Sequence, residues 1–182
     1  MRKKTTMKYV FIMSLLLINA TFDRLNPTER SSKVSNTSIT KAIVKVLNYE
    51  ELKSIINKND NKLYVVNFWA TWCRPCVEEL PDFMEVNRKY NTNPRFKMIL
   101  VSMDMASEIE TSVKPFLQKN KMDVETYLLD DNKRMNEWIP AVDKSWSGAI
   151  PATVFYRNGK KLEFFESRMP KIELEKIINK YI

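Results

Sequence analysis

The 182-residue sequence contains no histidine. That removes imidazole general acid–base catalysis, histidine metal ligands and Ser-His-Asp triads in one step. Glycine occurs only at Gly148 and Gly159. Use this sparing places each where the backbone needs it. Cysteine occurs only at Cys73 and Cys76. A closed structural zinc site takes about four ligands, so two thiols without histidine would need carboxylates to complete one. A concentrated basic patch is also missing. The formal charge is +8, but Arg2, Lys3, Lys4 and Lys8 supply four of the positive charges, and residues 1–20 hold no acid. Without that segment 26 basic residues face 22 acidic ones, mixed in sign along the chain. We expect a solvated surface and no nucleic-acid partner, since nucleic-acid binders cluster their basic side chains.

What is present begins with "MRKKTTMKYVFIMSLLLINATF". A basic start precedes an apolar stretch from Tyr9 to about Ala20. That is signal-peptide length and short of the roughly 20 apolar residues of a membrane span. Residues 1–20 are read as a signal peptide or N-terminal anchor, with membrane anchoring through residues 9–20 as the second option and a buried N-terminal helix as the third. The expected location is extracytoplasmic, the bacterial periplasm, where thiols are normally oxidised. Residues 21–41 are polar and Ser/Thr-rich, and read as a linker.

Residues 42–182 alternate strand and helix patterns. "KAIVKVLN" (41–48) is β-rich, and Asn48 with Glu51 forms a capping-box pattern before a helical stripe at Leu52, Ile55 and Ile56. "KLYVVNFWA" (62–70) is almost continuously apolar, as in a strand buried on both faces. A helix is expected from about Arg74 to Tyr90, then a strand at 96–104. A helix broken or restarted at Pro115 should span 108–120, followed by a strand at 124–130 and a short helix at 132–139. Asn158-Gly159 between two β-rich runs predicts a hairpin within 152–166. Leu174, Ile177, Ile178 and Tyr181 mark one face of a final helix. The fold class is therefore α/β: a mostly parallel sheet covered on both faces, with an antiparallel hairpin at one edge.

Four readings compete for the two cysteines. A zinc half-site lacks ligands. A structural disulfide across so short a loop would remove little unfolded-state entropy. Two inert buried thiols fit poorly with the neighbours Trp72, Arg74 and Pro75. The favoured reading is a redox-active dithiol. Positions i and i+3 at a helix start lie close, and the helix N-terminus favours a thiolate. Such thiols can titrate at roughly 3.5–7.5 instead of about 8.5. Arg74 adds positive charge, and Pro75 suits a first turn, where its missing N–H is not needed. Cys73, expected at an exposed helix tip, would be the nucleophile and Cys76 the resolving thiol.

The segment "NFWATWCRPCVEELP" resembles the active-site motif of the thioredoxin superfamily, and most of all its TlpA/ResA-like branch of extracytoplasmic thiol–disulfide oxidoreductases. The resemblance covers about residues 42–182 and includes "GAIPATVFY". It implies a thioredoxin fold, a central mixed β-sheet flanked by helices on both faces with an extra βα insertion. It implies that Pro151 is a cis-proline facing the dithiol, preceded by Ile150, with an ordinary strand-start proline as the alternative. Pro81 matches the proline that kinks the active-site helix. Asn67 stands where many thioredoxin-like proteins carry a buried aspartate, and an amide cannot shuttle a proton. Glu79, three residues after Cys76, matches a glutamate of the branch and is the candidate acid/base for Cys76. The alternative is a solvated helix carboxylate, as expected for Glu78. Trp69 is read as core packing, and Trp72 as part of a partner-binding surface.

The implied partners are protein thiol or disulfide substrates, with a membrane electron donor for re-reduction. No cofactor beyond the Cys73–Cys76 disulfide and no metal is expected. Two rivals remain. A thiol peroxidase would set its nucleophile in a Pro-x-x-x-Thr-x-x-Cys context that is missing here. A non-enzymatic module on the same scaffold is the other: a copper-delivery protein would add a distant histidine, which this chain lacks, and a pure interaction module would keep all its activity in Cys73→Ser.

Overall fold

A computed structural model of the chain describes residues 43–182. The expected signal segment and the 21–41 linker lie outside the described residues. Six strands form one sheet in the order β1-β4-β3-β2-β5-β6. The strands are β1 (Val44–Leu47), β2 (Leu63–Trp69), β3 (Phe96–Ser102), β4 (Glu125–Leu129), β5 (Ala152–Arg157) and β6 (Lys160–Phe165). β1, β4, β3 and β2 run parallel to one another, β5 pairs antiparallel with β2, and β6 antiparallel with β5.

The helices follow local rules. α1 (Tyr49–Ile56) opens on the capping box: Glu51 N–H donates to Asn48 Oδ1 at 3.0 Å, and Asn48 N–H donates to Glu51 Oε2 at 2.9 Å. α2 (Arg74–Tyr90) starts at the cysteine pair. The expected 108–120 helix divides into a 3-10 turn, a π segment (Ile109–Val113) and α3 (Lys114–Lys119). Pro115 sits in the first turn of α3, so it restarts the helix without breaking a bond. α4 (Met135–Val142) begins after a 3-10 turn and runs through Pro140, beyond the expected end at 139. α5 (Lys171–Tyr181) closes the chain. Two strand–helix pairs, β3–α3 and β4–α4, therefore separate α2 from β5, as the resemblance implied.

β2 shows why the chain folds in layers. All seven of its residues are buried, and alternate side chains point to opposite faces. Leu63, Val65 and Trp69 join the core beneath α2, α3 and α5. Tyr64, Val66 and Phe68 join the second core beneath α1 and α4, where Trp138 stacks on Tyr49 and Phe68. Full burial of each such side chain stabilises the fold by about 1.5–3 kcal/mol, which makes this central strand the main apolar support of both layers. The hairpin turn has Asn158 and Gly159 both at positive φ, +50° and +71°. That is the geometry an Asn-Gly turn supplies at least strain. No helix among the described residues is long and apolar enough to cross a membrane.

Candidate active site

β2 delivers the chain through Ala70, Thr71 and Trp72 to Cys73, the N-cap of α2. The Cys73 N–H donates to Ala70 O at 3.2 Å, and Val77 N–H to Cys73 O at 3.0 Å. Cys73 and Cys76 are joined in a disulfide with Cα atoms 5.3 Å apart. Cys76 N–H also points at Cys73 Sγ, at 3.4 Å. Of the four N–H groups that a helix start leaves without a carbonyl partner, one thus faces sulfur, where it stabilises negative charge on a Cys73 thiolate. Pro75 lies in this turn, so its missing N–H interrupts nothing.

Two expectations about this tip need correction. Cys73 is not at an exposed tip: it is 5% exposed, and Cys76 is 0% exposed. The cause is the loop before β5, which closes over it. The Ile150–Pro151 peptide bond there is cis, as the resemblance implied, and Ile150 O lies 3.7 Å from Cys73 Sγ. Arg74 does not direct its charge at the thiols alone. Its Nε donates to Glu78 Oε1 at 2.9 Å in open solvent, so the carboxylate offsets much of that charge. Glu78 also pairs with Arg168 at 3.6 Å.

Trp72, adjacent to Cys73 in the chain, is 66% exposed. Trp69 is fully buried, with its ring 5.2 Å from Phe116. Pro81 lies inside α2, where its lack of an N–H frees the Val77 carbonyl.

Glu79 is not a solvated helix carboxylate. It is 0% exposed, on the face of α2 that also carries Cys76 three residues earlier. Its Oε1 accepts from Asn67 Nδ2 at 2.8 Å and its Oε2 from the Met169 N–H at 2.8 Å. Burial pushes its pKa up. The hydrogen bonds from Met169 and Asn67 and the charge of Arg168 oppose that rise, and Asp82 adds to it. Asn67 is equally buried and also donates to Thr153 Oγ1, its cross-strand partner on β5, at 3.1 Å.

Sequence reasoning missed the residues that hold these segments together. Asp104, 2% exposed, accepts from Thr71 Oγ1 at 2.5 Å, from Thr71 N–H at 3.1 Å and from Ser102 Oγ at 2.7 Å. It ties the loop before Cys73 to the end of β3. Glu166 accepts from the Ser147 and Ala149 N–H groups, each at 3.1 Å, and from Ser147 Oγ, and so ties β6 to the loop before Pro151. These bonds pull its pKa down, the Ser147 hydroxyl first. The one available signal was position: an acid just past the carboxyl end of a parallel strand, where α/β sites gather, describes Asp104. Nothing local marked Glu166, Thr153 or Met169. Among the described residues no group of three or more His, Cys, Asp or Glu could hold a metal ion.

Comparison with known proteins places these features. A model of the AhpC/TSA family matches residues 43–165. The thioredoxin-like protein YneN of Bacillus subtilis is 30% identical over 84 residues, 46% of this chain and 47% of that protein. Sporulation thiol-disulfide oxidoreductase A of the same organism is 28% identical over 98 residues, 53% of this chain and 56% of that protein. The chain thus spans about half the length of these curated relatives. Among solved structures, a thiol:disulfide interchange protein of the thioredoxin family from Chlorobium tepidum superposes with a TM-score of 0.56 at 20% identity, covering 67% of this chain and 81% of that one. At that identity the likeness speaks for the fold, which is the thioredoxin fold with a mixed central sheet.

Proposed function

The chain belongs to the AhpC/TSA family, and on that premise we propose that it is a thiol–disulfide oxidoreductase acting on protein substrates. The observation that carries this reading is the Cys73–Cys76 disulfide capping α2, with Cys73 Sγ facing Ile150 O across the cis-proline loop. Relatives whose names state the same activity support it.

The reaction runs through the dithiol form. The Cys73 thiolate attacks one sulfur of a substrate disulfide, forms a mixed disulfide and expels a substrate thiolate. Cys76 loses its proton to Glu79 and attacks Cys73 Sγ. The second substrate thiolate leaves, and the Cys73–Cys76 disulfide closes. Two electrons pass from the protein to the substrate, and an external dithiol donor must return them. Burial raises the Glu79 pKa above the ordinary carboxylate value, which makes the carboxylate a stronger base toward the Cys76 proton.

The direction we favour is reduction of extracytoplasmic protein disulfides, with apocytochrome c thiols among the candidate products. The leading segment "MRKKTTMKYVFIMSLLLINA" supports export or anchoring, and a membrane electron donor would then re-reduce the site. Trp72, Arg74, Pro75, Ile150 and Pro151 shape the surface the substrate meets.

Partner trapping with Cys76→Ala tests the proposal. Mixed disulfides through Cys73 should accumulate and identify the substrates. If none form, and the wild-type dithiol is inert toward a model disulfide, the proposal fails.

A further inference from the structure

Asn67 is the residue the thiol chemistry leaves without a task, yet it lies at the junction of the site. Its side chain is fully buried under α2. Nδ2 has two hydrogens, and both find acceptors: Glu79 Oε1 at 2.8 Å and Thr153 Oγ1 at 3.1 Å. Oδ1 is buried with no partner. An orphaned buried carbonyl is costly, so a group that tolerates one is held by what its other end does. Turning the amide over would aim Oδ1 at the carboxylate, oxygen against oxygen, and would leave two donors orphaned in place of one acceptor. The observed orientation, in which each carboxylate oxygen accepts one N–H, suits an ionised Glu79.

We infer that Asn67 is a positioning residue for the redox site: anchored by Thr153, its carboxamide holds the Glu79 carboxylate on the face of α2 that carries Cys76 and favours the ionised form that receives the Cys76 proton. The inference rests on the reading of Glu79 as the acid/base of Cys76. The surroundings agree with it. β2 presents neutral Asn67 to Glu79, and β5 presents Thr153 to Asn67. The segment before α5 presents the Met169 N–H and the Arg168 charge, and α2 presents Asp82. Among the described residues, Asn67 is thus the only side chain bonded to the carboxylate, and the other bond comes from backbone.

The geometry also explains why an amide, not an acid, stands at this position. A carboxylate at residue 67 would lie within hydrogen-bond distance of Glu79. Two carboxylates that close cannot both ionise, and they titrate as a pair sharing one proton. With Glu79 buried on α2, residue 67 serves as a donor.

The test uses the whole chain. The Glu79 carboxyl carbon is titrated by NMR in the oxidised protein, and the pH profile of model-disulfide reduction is measured in the reduced protein. Wild type is compared with Asn67→Leu, Asn67→Ser, Asn67→Asp and Glu79→Gln. Loss of the donor in Asn67→Leu should move the Glu79 midpoint upward by on the order of one pH unit, and the activity profile should move with it. Asn67→Ser, smaller and still polar, should do the same, and supplies the result if the leucine variant does not fold. Asn67→Asp should titrate in two steps. If the Glu79 midpoint stays at the wild-type value in Asn67→Leu or Asn67→Ser while Glu79→Gln alters the activity profile, the inference is wrong and the role of Glu79 stands. If Glu79→Gln leaves the profile at wild type, the role of Glu79 falls and the inference falls with it.

Discussion

The Met169 backbone N–H donates to Glu79 Oε2 at 2.8 Å, across ninety residues of chain. The segment before α5 thereby supplies half of the polar surroundings of a carboxylate on α2. The packing of α5 beside α2 in the same core closes it in.

That burial gives Glu79 a stability effect with a definite sign. Its folded-state pKa is raised, chiefly by desolvation, above the ordinary value of 4.5. Between those two values the unfolded chain has lost the proton and the folded chain still holds it. Stability from this group is full below about 4.5 and falls as pH rises through the folded pKa. Glu79→Gln should flatten that part of the curve, because a neutral amide has nothing to titrate. Urea denaturation of both proteins across the acid-to-neutral range reads the difference.

Asp104 holds the loop that leads into the dithiol. Asp104→Ala strands the Thr71 N–H and hydroxyl and the Ser102 hydroxyl, all of which now donate to it. We expect a loss of about 2–3 kcal/mol in stability, the range for buried donors deprived of a charged acceptor. Thr71→Val removes a single bond and should cost less. Chemical denaturation measures both.

Glu166 acts on the opposite lip of the site. Glu166→Ala releases the Ser147 and Ala149 N–H groups and loosens the loop that presents Ile150 to Cys73. Model-disulfide turnover should fall about tenfold, since small misplacements of reacting groups are costly. Melting temperature should change little, because the clamp is only partly buried. Glu166→Gln keeps one acceptor oxygen and should lie between.

Trp72 tests the partner surface apart from the chemistry. At 66% exposure it contributes little to the core, so Trp72→Ala should leave the melting curve unchanged. Turnover of a small-molecule disulfide should stay near wild type. Turnover of a trapped protein substrate should fall about tenfold, the equivalent of one lost apolar contact of about 1.4 kcal/mol. Equal effects on both substrates would count against a docking role.

The layered fold was readable because its main features are local. The unbroken apolar run of β2 announced burial on both faces, and Asn48 with Glu51 announced the start of α1. Asn158-Gly159 announced the β5–β6 turn. The spacing of Cys73 and Cys76 announced a thiol pair at a helix start. What misled was also local. Arg74 lies between the cysteines in sequence, yet its side chain turns outward to Glu78 one helical turn on. Cys73 caps the helix, a position that reads as exposed until the cis-proline loop covers it.

The sequence by itself determined the dithiol on which the proposed reaction rests. Two thiols three apart at the first turn of a helix can form and break a disulfide with little backbone movement, and no histidine competes for the chemistry. Only the tertiary structure decided how that dithiol is surrounded. Asn67 meets Thr153 because β2 and β5 pair in one register, and it meets Glu79 because α2 packs on that face of the sheet. A one-residue slip of that register would turn Asn67 away from Thr153. Hydrogen bonds between segments so far apart in the chain depend on the register and packing of the whole sheet. A linear reading could name Glu79 and Asn67, but only the folded sheet joins them.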